Sequence, residues 1–198
     1  MADQMRDQTR DNLQDLPADL PVPVDDGAAA HLPGRAMPAL ELASTDGGVM
    51  RVDRVPEGFS RLVLYAYPRT GRPGEPLPDG WDAIPGARGC TPEACGFRDH
   101  SAELAAAGAA VAGVSTQHTA YQEEAARRLG LSFPLLSDAD LRLTGALGLP
   151  TFEAAGMTLT KRLTLVIADG VVERVFYPIY PPDGHAAEVL GWLRANPR

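Results

Sequence analysis

The side chains with the most chemistry to offer are two thiols, Cys90 and Cys95, set in Gly89-Cys-Thr-Pro-Glu-Ala-Cys95. Two cysteines are too few for a disulfide-stapled fold or a four-cysteine zinc site. The histidines show no zinc spacing, and the cysteines are not spaced as in a Cys-x-x-Cys disulfide reductase. What remains is a reactive thiol with a partner thiol, set against two inert cysteines on a helix. Thr91 is a good N-cap, Pro92 suits the first helical position, and Glu93 adds negative charge to the first turn. The expectation is a helix over 92–107 with Cys90 at its mouth. Free N–H groups and the helix dipole there favour a thiolate and lower its pKa. Gly89 lets the chain turn and lets a ligand come close.

On that helix the apolar stripe is Ala94, Phe97, Leu104 and Ala105, and Cys95 lies roughly 160° from Phe97. Structural cysteines are usually buried, so one pointing off the core face points to redox chemistry. Five residues of helix separate two Cα atoms by roughly 8–9 Å, whereas a disulfide needs less than about 7 Å. Cys90 and Cys95 therefore bond only if the first turn or two unwinds, and the reduced and oxidised states differ in local order.

The elements that must hold this helix alternate. Leu62–Tyr67 is a continuous apolar run, suited to a strand buried on both faces. Ala109–Ser115 reads as the next strand. Thr119–Leu129 reads as a helix with Glu→Arg pairs at i,i+4 and Gly130 past its end. A short strand at 134–136 follows, then a short helix capped by Ser137 with Asp140. Leu163–Ala168 and Val171–Phe176 are strands joined by Asp169-Gly170, a strong hairpin signal. Asp183 caps a last helix. This order gives an α/β protein with a mixed central sheet flanked by helices, a thioredoxin-like fold.

The 198 residues carry 18 basic and 26 acidic side chains, a net charge of −8. Such a balance argues against a nucleic-acid partner, because phosphate contacts need clustered Lys and Arg. Residues 1–30 hold two bases against seven acids, so most of the charge belongs to an N-terminal arm over 1–31, ahead of one domain over 32–198. Asp3 to Asp19 recur every fourth residue and would form one stripe on a helix, with Met5, Leu13 and Leu16 opposite; prolines at 17, 21 and 23 then favour extended chain. No signal-peptide core and no stretch of about 18 apolar residues is visible. The expectation is a cytoplasmic protein without a membrane partner, and a monomer, since no exposed apolar stripe argues for an obligate dimer.

The segment Gly-Cys-Thr-Pro-Glu-Ala-Cys-Gly-Phe-Arg-Asp at 89–99 resembles the active-site helix of the peroxiredoxins, in the bacterioferritin comigratory protein (peroxiredoxin Q) subfamily. Leu32–Leu42, Val63–Pro68, Gly113–Ser115, Phe133–Asp138 and Arg162–Ile167 extend the resemblance over roughly 32–195. It implies a thiol-dependent peroxidase of the atypical two-cysteine kind, reducing hydrogen peroxide and organic hydroperoxides. Cys90 would be the peroxidatic cysteine, oxidised to a sulfenic acid, and Cys95 the resolving cysteine, forming an intrachain disulfide that thioredoxin or a similar dithiol reduces. Arg162 would lie beside Cys90, lower its pKa and polarise the peroxide. No metal or organic cofactor is required.

One departure stands out. The family has proline seven and threonine three residues before the cysteine, but Ala83 and Ala87 occupy those positions here. Pro68 stands 22 residues before Cys90, so 15 residues are inserted, rich in Gly and Pro and carrying Trp81. Thr70 is the candidate to replace the missing hydroxyl, with Gly89 and Thr91 as further substrate-binding candidates. Trp81 is expected to anchor the loop, and Tyr177 and Tyr180 to pack. The missing threonine is what favours a rival reading, a non-catalytic redox sensor or binding protein on the same fold.

Overall fold

The computed structural model describes residues 13–198. The apolar run at 62–67 forms strand β3 (Arg61–Ala66), with β1 (Glu41–Ser44) and β2 (Val49–Arg51) before it. Side chains of β3 alternate between two cores: Leu62, Leu64 and Ala66 enter one, and Val63 and Tyr65 the other, which Tyr67 joins just past the strand. That is why the run is apolar throughout; a strand covered on both faces has no side left for polar residues. The remaining sheet strands are β4 (Ala109–Ser115), β5 (Leu135–Ser137), β8 (Leu163–Ala168) and β9 (Val171–Phe176). The seven lie in the order β2-β1-β5-β4-β3-β8-β9. β3, β4 and β5 are parallel, and β1, β8 and β9 pair antiparallel.

Parallel neighbours need crossovers, and helices supply them. Between β3 and β4 run α1 (Cys90–Asp99) and α2 (Ser101–Ala106); between β4 and β5 runs α3 (Thr119–Leu129). Phe97 of α1, Leu104 of α2 and Ala125 of α3 cover the same face of the sheet, together with Val189, Leu190 and Leu193 of α5 (His185–Ala195). The opposite face is covered by Leu143 and Leu147 of α4 (Arg142–Leu147) and by Ala29, Leu32 and Met37. The architecture is thioredoxin-like, a mixed sheet between helices, as the order of elements implies. The hairpin at Asp169-Gly170 has the expected strand limits, with φ of 51° and 74° at the two turn residues.

Several local expectations are corrected. The helix expected over 92–107 is two helices that meet at His100, so the stripe is out of register beyond the break: Leu104 stays buried but Ala105 is exposed. Leu141 is the N-cap of α4, and Asp138, rather than Ser137 with Asp140, serves its first turn. The Asp138 carboxylate accepts from the N–H groups of Leu143 and Thr144 at 2.9 and 2.8 Å, while the Ser137 hydroxyl donates to the Gln117 carbonyl. Asp183 does not cap α5; it sits in a 3-10 turn (Pro182–Gly184), and Gly184 is the N-cap. Two hairpins carried no signal strong enough to be read, β1–β2 and β6 (Thr151–Ala154) with β7 (Met157–Thr160). Their strands are only three or four residues long, too short for alternation to show.

The β6–β7 hairpin gives the inserted loop something to pack on. Trp81 is buried and groups with Ala87 and Leu159, with Phe152, Ala154 and Met157 of the hairpin against them. Its ring centroid lies 6.2 Å from that of Phe152. Trp81 is an anchor, as expected. The arm is described from residue 13. Asp3, Asp7, Asp11 and Met5 lie outside the described residues; over 13–20 the chain makes turns and no helix. Its later part is extended and tied down at Asp26, which accepts from Lys161 Nζ at 2.6 Å and from the Tyr177 hydroxyl at 2.7 Å.

Candidate active site

Helix α1 begins at Cys90, two positions earlier than the capping pattern predicts. Gly89, not Thr91, is the N-cap, and Pro92 falls third. The backbone explains the shift. Gly89 has φ of 107°, a left-handed conformation that favours glycine, and a Cβ there would lie 2.3 Å from Pro182 Cγ. The close approach that Gly89 permits is by Pro182 and by Leu16 of the arm, not by a ligand. The residues before Cys90 thus pack hard against the Pro182–Gly184 turn, and Cys90 is 4% exposed.

Arg162, immediately before β8, reaches the same point. Its Nη2 donates to Cys90 Sγ at 3.2 Å, and also to the carbonyls of Gly86, Ala87 and Arg88 at 3.3, 3.4 and 3.2 Å. Its Nη1 donates to Glu93, one turn along α1 from Cys90; both partners of this ion pair are buried. Arg162 Nε and Glu93 Oε1 are buried without a hydrogen-bond partner among the described residues. The site therefore contains a thiol, a guanidinium and a carboxylate buried together.

Burial dominates the electrostatics. It pushes the Cys90 thiol above its ordinary value, while the charge of Arg162 and the N–H of Arg69 pull it back down. The expected lowering is thus corrected in sign: Arg162 lowers the thiol pKa as anticipated, but desolvation is the larger effect, and Glu93 adds to it. Burial also pushes the Glu93 carboxyl up, against the pull of Arg162. Arg162 stays charged, because Cys90 and Glu93 outweigh the cost of its burial.

Cys95, on the same helix, is partly exposed, as its position off the core stripe implies. Arg98 lies close enough to interact with it. No disulfide joins the two cysteines, and one unbroken helix contains both. Thr70 is buried, and its hydroxyl donates to Gln117 Oε1 at 3.1 Å, as does its N–H at 2.9 Å. The adjacent Arg69 contributes its backbone N–H to Cys90. Thr91 is buried in the first turn. Ala87, where the family has threonine, offers only its carbonyl, 3.7 Å from Cys90 Sγ.

Glu93 is the site residue that sequence reasoning missed. It reads there as first-turn charge for the helix dipole. The available signal was its spacing: at i+3 from Cys90 it must lie on the cysteine's face of the helix.

The Redoxin family model matches residues 32–190. A putative peroxiredoxin bcp of Coxiella burnetii is 30% identical over 164 residues, covering 81% of this chain and 97% of that protein. Peroxiredoxin Bcp of Escherichia coli is 31% identical over 167 residues, 82% of this chain and 96% of its own. Among solved structures, peroxidoxin BcpB from Mycobacterium tuberculosis superposes with a TM-score of 0.68 at 30% identity, over 84% of this chain and 99% of that one.

Proposed function

The chain belongs to the Redoxin family, as a peroxiredoxin of the Bcp and peroxiredoxin Q kind, and we propose that Cys90 is its peroxidatic cysteine, Cys95 its resolving cysteine and Arg162 the residue that activates both thiol and peroxide. It is a thiol-dependent peroxidase. The observation that carries the assignment is the 3.2 Å contact between Arg162 Nη2 and Cys90 Sγ inside a buried pocket. A cation held against a thiol stabilises the thiolate and the negative charge that develops on the departing oxygen.

In the first step the Cys90 thiolate attacks one peroxide oxygen. An S–O bond forms, the O–O bond breaks, sulfur loses two electrons, and the other oxygen leaves as water or alcohol after taking a proton. The Arg162 guanidinium, whose buried Nε–H has no acceptor among the described residues, is the donor group we assign to the peroxide in place of the family's threonine. In the second step the Cys95 thiolate attacks the sulfenic sulfur, an S–S bond forms, the S–O bond breaks, and the hydroxide leaves as water after taking a proton. A thioredoxin-type dithiol then reduces the disulfide by exchange and is itself oxidised. The substrate is a peroxide and the reductant a dithiol protein. Both thiols and Arg162 come from one chain, so the unit that works is the monomer, an arm over 1–31 and a catalytic domain over 32–198. The described residues contain no helix long and apolar enough to cross a membrane. A reduced dithiol partner fits a reducing compartment such as the cytoplasm. Ala87 in place of the family's threonine is the one feature on the side of a redox sensor; that reading is not favoured, because the relatives matched over four-fifths of the chain are peroxiredoxins.

Stopped-flow mixing of the reduced protein with hydrogen peroxide and with cumene hydroperoxide tests this function, with Cys90→Ser as control. A second-order rate well above that of free cysteine, lost in the control, is expected; a rate no faster than free cysteine overturns the reading. The second step makes a separate prediction. Because α1 holds Cys90 and Cys95 too far apart to bond, its first turns must unwind. Amide hydrogen exchange over residues 90–97 is expected to accelerate in the disulfide form. Equal protection in the two redox states would contradict it.

A further inference from the structure

The arm does more than decorate the surface, and it precedes the residues that the family model matches. Leu16 touches the ground around Gly89. Farther along, Val22, Pro23 and Val24 line a cavity of about 360 Å³ together with Ile84, Phe152 and Ile179 of the body. Arg162, the guanidinium that holds Cys90, lines it too. Val22 and Val24 are 58% and 82% exposed, while Arg162 is 3% exposed. The cavity therefore runs from solvent to the guanidinium that holds Cys90, with mostly apolar walls; Cys90 itself lies behind Arg162 and does not line it. Two exposed valines on an extended strand have no reason to sit there for stability alone; most of their surface faces open space. Asp26 fastens this stretch to Lys161 and Tyr177, two residues that line the same cavity.

We propose that the arm is a specificity element: Val22, Pro23 and Val24 form one wall of an apolar pocket that takes the organic tail of a hydroperoxide whose peroxy group lies at Arg162 and Cys90. This rests on the peroxidase reading above and adds to it a preference for organic hydroperoxides with a compact apolar tail. Small ligand sites are commonly concave, mostly apolar and furnished with a few polar groups that fix orientation, and Arg162, which lines this cavity, is such a group. Hydrogen peroxide has no tail and gains nothing from the wall.

Two measurements on the full chain test the proposal. In the Val22→Ser/Val24→Ser variant the ratio of the second-order rate for cumene hydroperoxide to that for hydrogen peroxide is expected to fall about ten-fold, on the order of what several lost methyl contacts contribute. An unchanged ratio, or a fall of both rates together, overturns it. The second measurement uses cumyl alcohol, the reduced product, titrated into methyl-labelled Cys90→Ser protein. Methyl signals of Val22, Val24, Ile84 and Ile179 are expected to shift together. Shifts confined to the cavity of about 370 Å³ beside Tyr121, Met157 and Leu159, or no saturable shift, overturn the proposal. This titration involves no oxidation, so failure of the peroxidase reading shows in the stopped-flow rate and failure of the pocket shows here.

Discussion

In the Cys95→Ser variant, the first equivalent of peroxide is expected to be consumed at the wild-type rate, while steady-state turnover with a thioredoxin-type dithiol falls at least about ten-fold. The split follows from where the two sulfurs sit. Cys90 is buried against Arg162 and reacts with peroxide while α1 is wound; Cys95 is on the outer side of the same helix and takes no part in that contact. Removing Cys95 therefore leaves the pocket intact and removes the intrachain exit from the sulfenic acid. That species would have to wait for an external thiol at a nearly closed site and would be exposed to further oxidation to the sulfinic acid. Mass spectrometry after one equivalent of peroxide should show a gain of one oxygen in the variant and an internal disulfide in the wild type. Undiminished dithiol-driven turnover would remove Cys95 from the mechanism.

Replacing Arg162 by methionine is expected to cost both activity and stability. The rate with hydrogen peroxide should fall by about 10²–10³, the range for removing a preorganised charge or donor from a developing anion. The pH at which the thiol titrates should rise further, because burial then acts on Cys90 without the opposing guanidinium. Stability should fall by about 3–5 kcal/mol, because Glu93 is left buried and unpaired. The double variant Arg162→Met/Glu93→Met separates the two effects. It removes the stranded carboxylate, so denaturant unfolding should recover much of the lost stability, while peroxide reactivity stays low. A double variant as unstable as the single one would show that Glu93 is not the cause. A single variant with wild-type peroxide reactivity would show that Arg162 is not catalytic.

Much of this site was legible before any coordinates. The spacing of Cys90 and Cys95, the helix that carries them and the partial exposure of Cys95 follow from 3.6-residue periodicity, and Arg162 followed from resemblance to the family. The sheet order was legible as a mixed architecture because Leu62–Tyr67 and the Asp169-Gly170 hairpin are strong local signals. What was not legible depends on contacts between distant segments. Thr91 and Pro92 form a plausible capping pair, yet the fit of Gly89 against Pro182 moves the helix start to Cys90. Ser137 and Asp140 match a capping box, yet the helix starts later, and Asp138 reaches the N–H groups of Leu143 and Thr144 in its first turn. The sign of the Cys90 shift was missed because the helix terminus and Arg162 are visible in the sequence, whereas complete desolvation is not. The Thr70 hydroxyl bonds to Gln117, some 47 residues distant in the chain.

The pairing of Glu93 with Arg162 has a consequence for which reagents the resting protein will meet. With the carboxylate and the guanidinium cancelling each other, the closed site is electrically neutral only while Cys90 is a thiol. A neutral, desolvated thiol is a poor nucleophile toward general electrophiles such as alkylating agents. A peroxide differs from these because it brings an oxygen that Arg162 can polarise and a leaving group that can take up the proton. Chemoselectivity then resides in the oxidant rather than in a permanently activated sulfur: the site is quiet until the molecule it reduces supplies part of its own activation.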